Sequence, residues 1–251
     1  TKSISMKRAA EAVAKAGFTM LDYTPLVQED TWEADMKRDM AVFKENGLGS
    51  MLSMEKAKAF LSLTEIMLEE NEKYNLTAIK DPDKIILNHY ADCAALCAEL
   101  PEGARIADVG CGAGFPTLPV AILRPDLKIT GIDSTAKRIA YVNMAAQAVG
   151  ASGVKAICAR AEDAGRSEMR EKFDIVTARA VAALPILTEL CLPLVKVGGR
   201  MIAMKGKNAE FELNESKKAI ATLGGRGTRV ENIVLKTTYN SCCILKYHFN
   251  N

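Results

Sequence analysis

A glycine-rich turn between two apolar segments constrains this chain more than any other feature. The short run 106–109 is typical of a buried parallel strand, and an apolar segment of helical length starts at Pro116. Between them, Gly110, Gly112 and Gly114 stand at alternate positions. A turn of this kind leaves backbone N–H groups at the start of a helix, and the missing Cβ atoms let a ligand approach the main chain. The stretch therefore predicts a nucleotide-type ligand at the end of a parallel strand.

The spacing of the glycines bears on which nucleotide binds. Dinucleotide folds use G-x-G-x-x-G, whereas here Asp108 is followed by glycines at a regular two-residue step. This form resembles the first motif of the Rossmann-like methyltransferases, which bind S-adenosylmethionine. A second predicted strand ends at Asp133, whose carboxylate would accept hydrogen bonds from the ribose hydroxyls of NAD or S-adenosylmethionine alike. At this point a dehydrogenase and an ordinary strand-to-helix turn both stay open.

The rest of the chain predicts an α/β fold that begins with helices. Within residues 1–100 we expect helices over 3–17 and 29–46, one capped by Ser53 and one that starts at Asp81 and Pro82. From residue 105 onward strands and helices alternate, with strands expected at 106–109, 128–132, 154–159, 173–177, 200–204, 230–236 and 242–249. The intervening helices are expected at 134–149, 184–194 and 208–223. The sequence thus predicts a helical region, 1–100, and a Rossmann-like class I domain, 101–251, with a seven-stranded, mostly parallel sheet and an antiparallel last strand.

Composition excludes several classes of function. The 33 basic and 31 acidic residues nearly balance, so any binding of nucleic acid must come from a local patch. Seven cysteines and two histidines without a C-x-x-C pair predict no metal site, and the cysteines are typical of buried residues in a reducing cytosol. No apolar stretch reaches membrane-spanning length and no secretory signal opens the chain. We expect a cytoplasmic protein that needs neither metal nor membrane.

Candidate site residues are those that follow the predicted strands, because ligands of such sheets bind outside the carboxyl ends of the strands. Glu162 or Asp163, after the third strand, would either bind an adenine amine or cap a helix. His89 and Asp92 share one face of a helix, where a packing role for the histidine is favoured over closure of the cleft.

Four cations are predicted to reach one rim of the sheet. They are Lys137, Arg160, Arg179 and Lys205. Any single one is typical of scattered surface charge. Their joint placement at strand ends favours a polyanionic substrate.

Missing motifs narrow the chemistry further. The fourth strand is not followed by the Asn/Asp-Pro-Pro-aromatic box that amine-methylating enzymes of nucleic acids use, and there is no Pro-Cys pair to attack a pyrimidine. Cys191 lies inside a predicted helix and is expected in the core. The remaining good nucleophile on a base is a ring nitrogen with a free lone pair, such as guanine N7.

Seven short segments together resemble one family. They are 71–79 (NEKYNLTAI), His89 with Asp92, 108–116 (DVGCGAGFP), Asp133 and Ser134 with Lys137 and Arg138, 160–162 (RAE), 177–180 (TARA) and 204–206 (MKG). The chain is similar over residues 52–205 to the RsmG family, also called glucose-inhibited division protein B. Its members are bacterial methyltransferases that act on N7 of one guanine in the decoding region of small-subunit ribosomal RNA.

The resemblance implies a cofactor, a substrate and a set of site residues. The cofactor is S-adenosylmethionine, and the substrate is 16S ribosomal RNA within a small subunit or an assembly intermediate, bound by a monomer. The implied cofactor contacts are Asp108, Gly110, Gly112, Gly114, Phe115, Asp133, Ala161, Glu162 and Arg179. The implied catalytic cations on the substrate side are Lys137, Arg160, Arg179 and Lys205.

The chain departs from the family pattern in three places. Family members usually have tryptophan where Glu70 stands, and an arginine near Ser241 is missing. Residues 1–40 form an extension that the family does not generally have. Two alternatives stay open: methylation of another RNA or a small molecule, and a non-catalytic ribosome-assembly factor that binds the cofactor.

Overall fold

The computed structural model describes residues 24–206, 208–234 and 241–249, with side chains described for 32–206 and 208–225. A π-helical segment, Ile86–Ala91, joins the third helix to the fourth. The α-helices of the described residues are α1 Thr24–Glu45, α2 Met54–Tyr74, α3 Pro82–Ile85, α4 Asp92–Leu96, α5 Thr117–Leu123, α6 Ala136–Ala148, α7 Ala161–Ala164, α8 Leu184–Cys191 and α9 Ala209–Thr222.

The strands form one sheet whose first five members are parallel. They are β1 Arg105–Val109, β2 Lys128–Asp133, β3 Val154–Cys158, β4 Phe173–Arg179, β5 Val195–Lys205, β6 Gly225–Val234 and β7 Ser241–Phe249. Their order is β3-β2-β1-β4-β5-β7-β6, and β7 runs antiparallel to both of its neighbours. The predicted fold class, α/β with a mainly parallel sheet preceded by helices, is confirmed. The order reverses between β1 and β4, which places a ligand site at the carboxyl ends of these strands.

Local sequence signals set the starts of two helices in the first region. The Ser53 hydroxyl accepts a hydrogen bond from Lys56 N, which caps α2. The Asp81 carboxylate accepts hydrogen bonds from two backbone N–H groups of the first turn of α3, and Pro82 occupies its first position. Both predicted helix starts are confirmed. The helix predicted over 3–17 lies outside the described residues.

The helices of the first region share a core with the sheet. One buried cluster contains Phe43, Phe60 and Tyr90 from these helices together with Ile129 of β2 and Tyr141 of α6. The rings of Phe60 and Tyr90 are stacked, with centroids 4.4 Å apart. The boundary predicted near residue 100 therefore crosses a common core, and the division into two domains stays a prediction.

The opposite face of the sheet carries a second buried cluster. It joins Val176 and Met201 of the sheet to Leu187 of α8 and Ile220 of α9. Both faces of the parallel strands are thus covered, as their continuous apolar sequences indicate. None of the helices in the part of the chain that the structure describes has the length and apolar composition needed to cross a membrane.

Candidate active site

A cleft of about 350 Å³ opens at the carboxyl ends of β1, β2 and β3. Five of the predicted site residues line it: Gly110, Asp133, Arg160, Ala161 and Glu162. The other residues of the lining are Val109, Ile132, Ser134, Thr135, Arg138, Ala159, Ala180, Val181 and Leu190. The structure therefore brings the glycine turn, the second-strand acid and the segment after the third strand to one place.

The three glycines of the turn all have left-handed backbone conformations, with φ of 71° at Gly110, 52° at Gly112 and 82° at Gly114. Their surroundings differ. A Cβ at Gly112 would meet only the Gly110 carbonyl oxygen, at 3.7 Å, whereas a Cβ at Gly114 would come within 2.5 Å of Leu118 Cδ1. At Gly110 a Cβ would overlap the side chain of Val181. Only Gly112 leaves open space for a ligand, because the other two glycines make room for the protein's own side chains.

The Asp133 carboxylate is oriented by two backbone N–H groups. Its Oδ2 accepts a hydrogen bond from Gly112 N at 3.1 Å, and its Oδ1 accepts one from Thr135 N at 2.8 Å. The side chain is 7 % exposed and lines the cleft. Each carboxylate oxygen keeps a further lone pair, so the group has the capacity to accept hydrogen bonds from two adjacent hydroxyls, such as those of a ribose.

Arg138 also lines the cleft, with Nη1 3.7 Å from Asp133 Oδ2. It was not among the predicted site residues, which named its neighbour Lys137. The Lys137 ammonium lies 5.8 Å from the centroid of the Tyr74 ring and does not line the cleft. Successive residues of a helix point about 100° apart, so the adjacent pair of cations could have indicated that only one of them faces the ligand.

Asp108, predicted as a cofactor contact, lies outside the lining of the cleft and is bound by protein groups. Thr117 Oγ1 donates to its Oδ2 at 2.6 Å, and Thr177 Oγ1 donates to its Oδ1 at 3.1 Å. Burial raises the pKa of this carboxyl to about 6, against the effect of these hydrogen bonds. Asp108 therefore ties β1 to the start of α5 and to β4, and it supports the glycine turn from within the protein.

His89 and Phe115 form a stacked pair between the helices and the glycine turn. Their ring centroids are 4.3 Å apart at an angle of 14°, and neither residue lines the cleft. His89 Nε2 lies 3.2 Å from Thr77 Oγ1, and Nδ1 lies 3.1 Å from Arg179 Nη2. Because a guanidinium only donates, Nδ1 accepts and the ring proton is assigned to Nε2. Burial and the charge of Arg179 lower the pKa of His89 to about 4, so the packing role favoured for this residue agrees with its surroundings.

Arg179 connects the end of β4 to the π-helical segment. Its Nη2 donates to the Asn88 carbonyl at 2.9 Å, and its Nη1 lies 3.2 Å from Asp92 Oδ2. Arg179 was predicted as a cofactor contact and a catalytic cation, and the structure places its guanidinium against protein groups, outside the lining of the cleft. Single π-helical turns are rare and often occur at functional sites. Here the turn presents the backbone carbonyl that Arg179 binds.

Lys205 holds the loop between β4 and α8. Its Nζ donates to the Ala182 carbonyl at 2.8 Å and lies 2.7 Å from Glu212 Oε2, which also accepts from Leu184 N at 2.9 Å. The Lys205 side chain is 12 % exposed. Of the four cations predicted at the rim, only Arg160 lines the cleft.

Known proteins match this sequence over most of its length. The family model described as rRNA small subunit methyltransferase G matches residues 55–240. The chain belongs to this family. The ribosomal RNA small subunit methyltransferase G of Clostridium perfringens (strain 13 / Type A) is 43% identical over 196 residues, which are 77% of this chain and 82% of that protein. The same-named protein of Clostridium beijerinckii is 45% identical over 194 residues, 76% of this chain and 81% of that protein.

Solved structures that resemble this methyltransferase G family member share its fold at low sequence identity. Geranyl diphosphate C-methyltransferase from Streptomyces coelicolor A3(2), in complex with Mg²⁺, geranyl diphosphate and S-adenosyl-L-homocysteine, has a TM-score of 0.50 and 14% identity, and the match covers 63% of this chain and 78% of that one. TYW2 from M. jannaschii, in complex with AdoMet, has a TM-score of 0.50 and 16% identity, with coverage of 63% and 74%. Both matches support the class I methyltransferase fold.

The residues of the cleft fit the cofactor that methyltransferases of this fold use. Asp133 lines the cleft and has acceptor capacity beyond its two backbone hydrogen bonds, and Gly112, just outside the lining, leaves open space beside its backbone. Val109, Ile132 and Leu190 supply apolar surface in the same lining. A nucleoside with a ribose and a flat base needs this combination of an oriented carboxylate and apolar walls.

Proposed function

We propose that the protein transfers a methyl group from S-adenosylmethionine to N7 of a guanine in 16S ribosomal RNA. Membership of the rRNA small subunit methyltransferase G family makes the chain a methyltransferase of small-subunit ribosomal RNA. The observation that supports the cofactor is the Asp133 carboxylate, oriented by Gly112 N and Thr135 N at the edge of the cleft. We expect a cytoplasmic monomer that acts on a small subunit or an assembly intermediate.

The residues that would hold S-adenosylmethionine belong to three segments. Asp133 would bind the ribose hydroxyls, Gly112 would allow close approach of the ligand, and Ala161 with Glu162 would border the adenine. The bound cofactor supplies an electrophilic methyl group on a sulfonium sulfur. The α7 helix that carries Glu162 is four residues long, so the exposed side chain, rather than a helix terminus, would meet the base.

The transfer to guanine N7 needs no base, because N7 carries an unprotonated lone pair at neutral pH. Two of the groups that we expect not to act as a base are held by protein partners. His89 is held by Thr77 and Arg179, and Asp92 is paired with Arg179. Orientation alone contributes roughly 7–11 kcal/mol to lowering a barrier in favourable cases, whereas a general base typically contributes ~10²–10⁴-fold. We infer that the protein acts by positioning.

The RNA would reach the cleft along its cationic edge. Arg160 and Arg138 line the cleft and are exposed, so their guanidinium groups have access to phosphates. Contacts with phosphates position a nucleic acid without reading its sequence. The choice of one guanine would then come from the shape of the cleft and of the folded RNA, as is usual for RNA recognition.

The proposal is tested on small subunits from cells that lack the protein. These subunits and free 16S RNA are incubated with the protein and S-adenosylmethionine, and the RNA is digested and analysed by mass spectrometry. We expect one 7-methylguanosine in the small-subunit RNA, formed more slowly by an Asp133→Ala variant when S-adenosylmethionine is below saturation. A methyl group on another atom, or no methylation of either RNA, would contradict the proposed target.

A further inference from the structure

The loop between β4 and α8 is fixed at both ends. We call residues Arg179–Leu184 the strap. At one end, Arg179 donates to the Asn88 carbonyl and pairs with Asp92. At the other end, the Ala182 carbonyl accepts from Lys205, and Leu184 N donates to Glu212. Ala180 and Val181, which lie between these anchors, both line the cleft.

The backbone of the strap turns Val181 onto the glycine motif. Ala180 has φ of 55°, a left-handed conformation that is strained for an L-residue other than glycine. Such strain persists where the surrounding contacts determine the conformation, and the strap has anchors on both sides. Val181 lies so close to Gly110 that a Cβ there would overlap its Cγ2. Val181 is nevertheless 38 % exposed, because the rest of its side chain borders the cleft.

Gly110 and Gly112 are therefore glycines for different reasons. Both have positive φ, so alanine is strained at either position. At Gly112 the space beyond the backbone is open, while at Gly110 that space is filled by Val181. The contact between Gly110 and Val181 joins the turn that would hold the cofactor to the strap.

We infer that Val181 is a positioning residue of the methyl transfer. Its contact with Gly110 fixes the position of the strap and places an apolar wall beside the glycine turn that would hold the cofactor. The inference rests on the proposed function. A wall of fixed size beside Gly110 limits how the target base can tilt relative to the methyl group, and it excludes water from that side. Misplacement of reacting groups by about 1 Å can lower a rate about 100-fold, so the size of residue 181 should affect the rate more than the binding of RNA.

The contact itself is tested by calorimetric titration with S-adenosylhomocysteine, which needs no RNA. The variants are Gly110→Ala, Gly112→Ala, Val181→Ala and the doubles that combine each glycine variant with Val181→Ala. We expect both glycine variants to weaken binding about tenfold or more, and Val181→Ala to restore at least about threefold to Gly110→Ala but nothing to Gly112→Ala. If Val181→Ala changes the affinity by the same factor in both double variants, the inference is wrong. Denaturant unfolding of each variant identifies any loss of affinity that comes from misfolding. The single variant Val181→Ala introduces no steric clash, because it only removes atoms.

The positioning role is tested by steady-state methylation of small-subunit RNA. We expect Val181→Ala to lower kcat about tenfold with the KM for RNA within about twofold, and Val181→Ile to recover most of the rate. The matched control is Val197→Ala, on β5, where the valine is similarly exposed but does not line the cleft. If Val181→Ala behaves like Val197→Ala, the inference is wrong. If the unaltered protein does not methylate this RNA, the proposed function fails instead, while the calorimetric cycle still decides the Gly110–Val181 contact.

Discussion

The two walls of the cleft use charged side chains in opposite ways. On the wall built from β2, β3 and their following turns, Arg160 and Glu162 are exposed and border the cleft. At the strap, Arg179 and Lys205 are largely buried, pair with Asp92 and Glu212, and donate to backbone carbonyls. The first wall offers charge to a ligand, and the second uses charge to hold the main chain.

This difference shows that a cation at a strand end is not identified as a substrate contact by its position alone. All four predicted cations follow or flank strands of the sheet, yet only Arg160 lines the cleft. The cations of the strap differ from Arg160 in their partners. A buried guanidinium or ammonium needs a carboxylate and carbonyls to offset its desolvation, whereas an exposed one stays hydrated.

The largest effect is expected for Arg179→Ala. Its removal leaves the Asn88 carbonyl and the Asp92 carboxylate without this donor in a partly buried site. We expect a loss of about 2–4 kcal/mol in the free energy of unfolding, discounted for the partial exposure of the pair. Denaturant titration measures it, with Arg160→Ala as the control, for which we expect a change within about 0.5 kcal/mol. Equal losses in the two variants would remove the distinction between the walls.

A smaller effect on cofactor binding is expected for Asp133→Ala. The change removes the acceptor that we propose for two ribose hydroxyls, and it leaves Gly112 N and Thr135 N without their carboxylate partner. We expect the affinity for S-adenosylhomocysteine to fall by about 1–3 kcal/mol, measured by calorimetry. Asp163→Ala is the matched control, because Asp163 is exposed near the cleft without lining it. An unchanged affinity of Asp133→Ala would exclude this carboxylate from the site.

Much of the sheet could be predicted from sequence, because buried parallel strands are marked by apolar runs that end at turns. The strands expected at 128–132 and 154–159 match β2 and β3 within one residue. The strand expected from residue 200 instead begins at Val195, since Gly198 and Gly199 interrupt its apolar pattern. Gly198, with φ of 77°, is compatible with a bulged strand that the pattern does not show.

The partners of the site residues could not be predicted in the same way. The sequence indicates that Arg179 follows a strand, but its acceptor Asn88 lies 91 positions away in a π-helical segment that has no clear sequence signal. The same holds for Lys205, whose partner Glu212 belongs to the next helix. Residue type and strand position predict where the backbone of a residue lies. Long-range packing determines which atoms its side chain contacts.

The pH dependence of stability tests the contact of His89 with Arg179, the first anchor of the strap. Its pKa is about 4 in the protein and about 6.5 in an unfolded chain, so its neutral form contributes stability that is complete above about pH 6.5 and is lost as the pH falls toward 4. Asp108 and Asp39, whose pKa values are raised to about 6, titrate in this window with the opposite sign. The difference between the unaltered protein and His89→Gln cancels their contribution. We expect this difference in unfolding free energy to shrink by about 2–3 kcal/mol between pH 7 and about pH 4.5. A difference that does not change with pH would mean that His89 is not held neutral.

The smallest effect concerns the salt dependence of RNA binding. Arg160→Ala should flatten the slope of log K against log salt by about 0.7–0.9, the value for one lost phosphate contact. From sequence alone Lys205→Ala would be expected to do the same. Because Lys205 is paired with Glu212 and bound to the strap, we now expect its variant to keep the parental slope. If both variants flatten the slope equally, Lys205 contacts the RNA after all.

The central claim, that this protein catalyses by positioning without a general base, is tested most directly by the pH dependence of a single turnover. Protein saturated with cofactor and RNA is mixed rapidly and quenched between about pH 7 and pH 9, a range above the pKa of about 6 of Asp108. We predict a nearly flat rate, because guanine N7 has no proton to lose. A base that is already deprotonated at pH 7 would also give a flat profile, so we further predict that Glu162→Gln and His89→Gln keep the saturated rate within about tenfold of the unaltered protein. A rate that rises tenfold per pH unit, or a loss of about 100-fold or more in either variant, would indicate that a base removes a proton from the methylated atom, and guanine N7 would then not be the target.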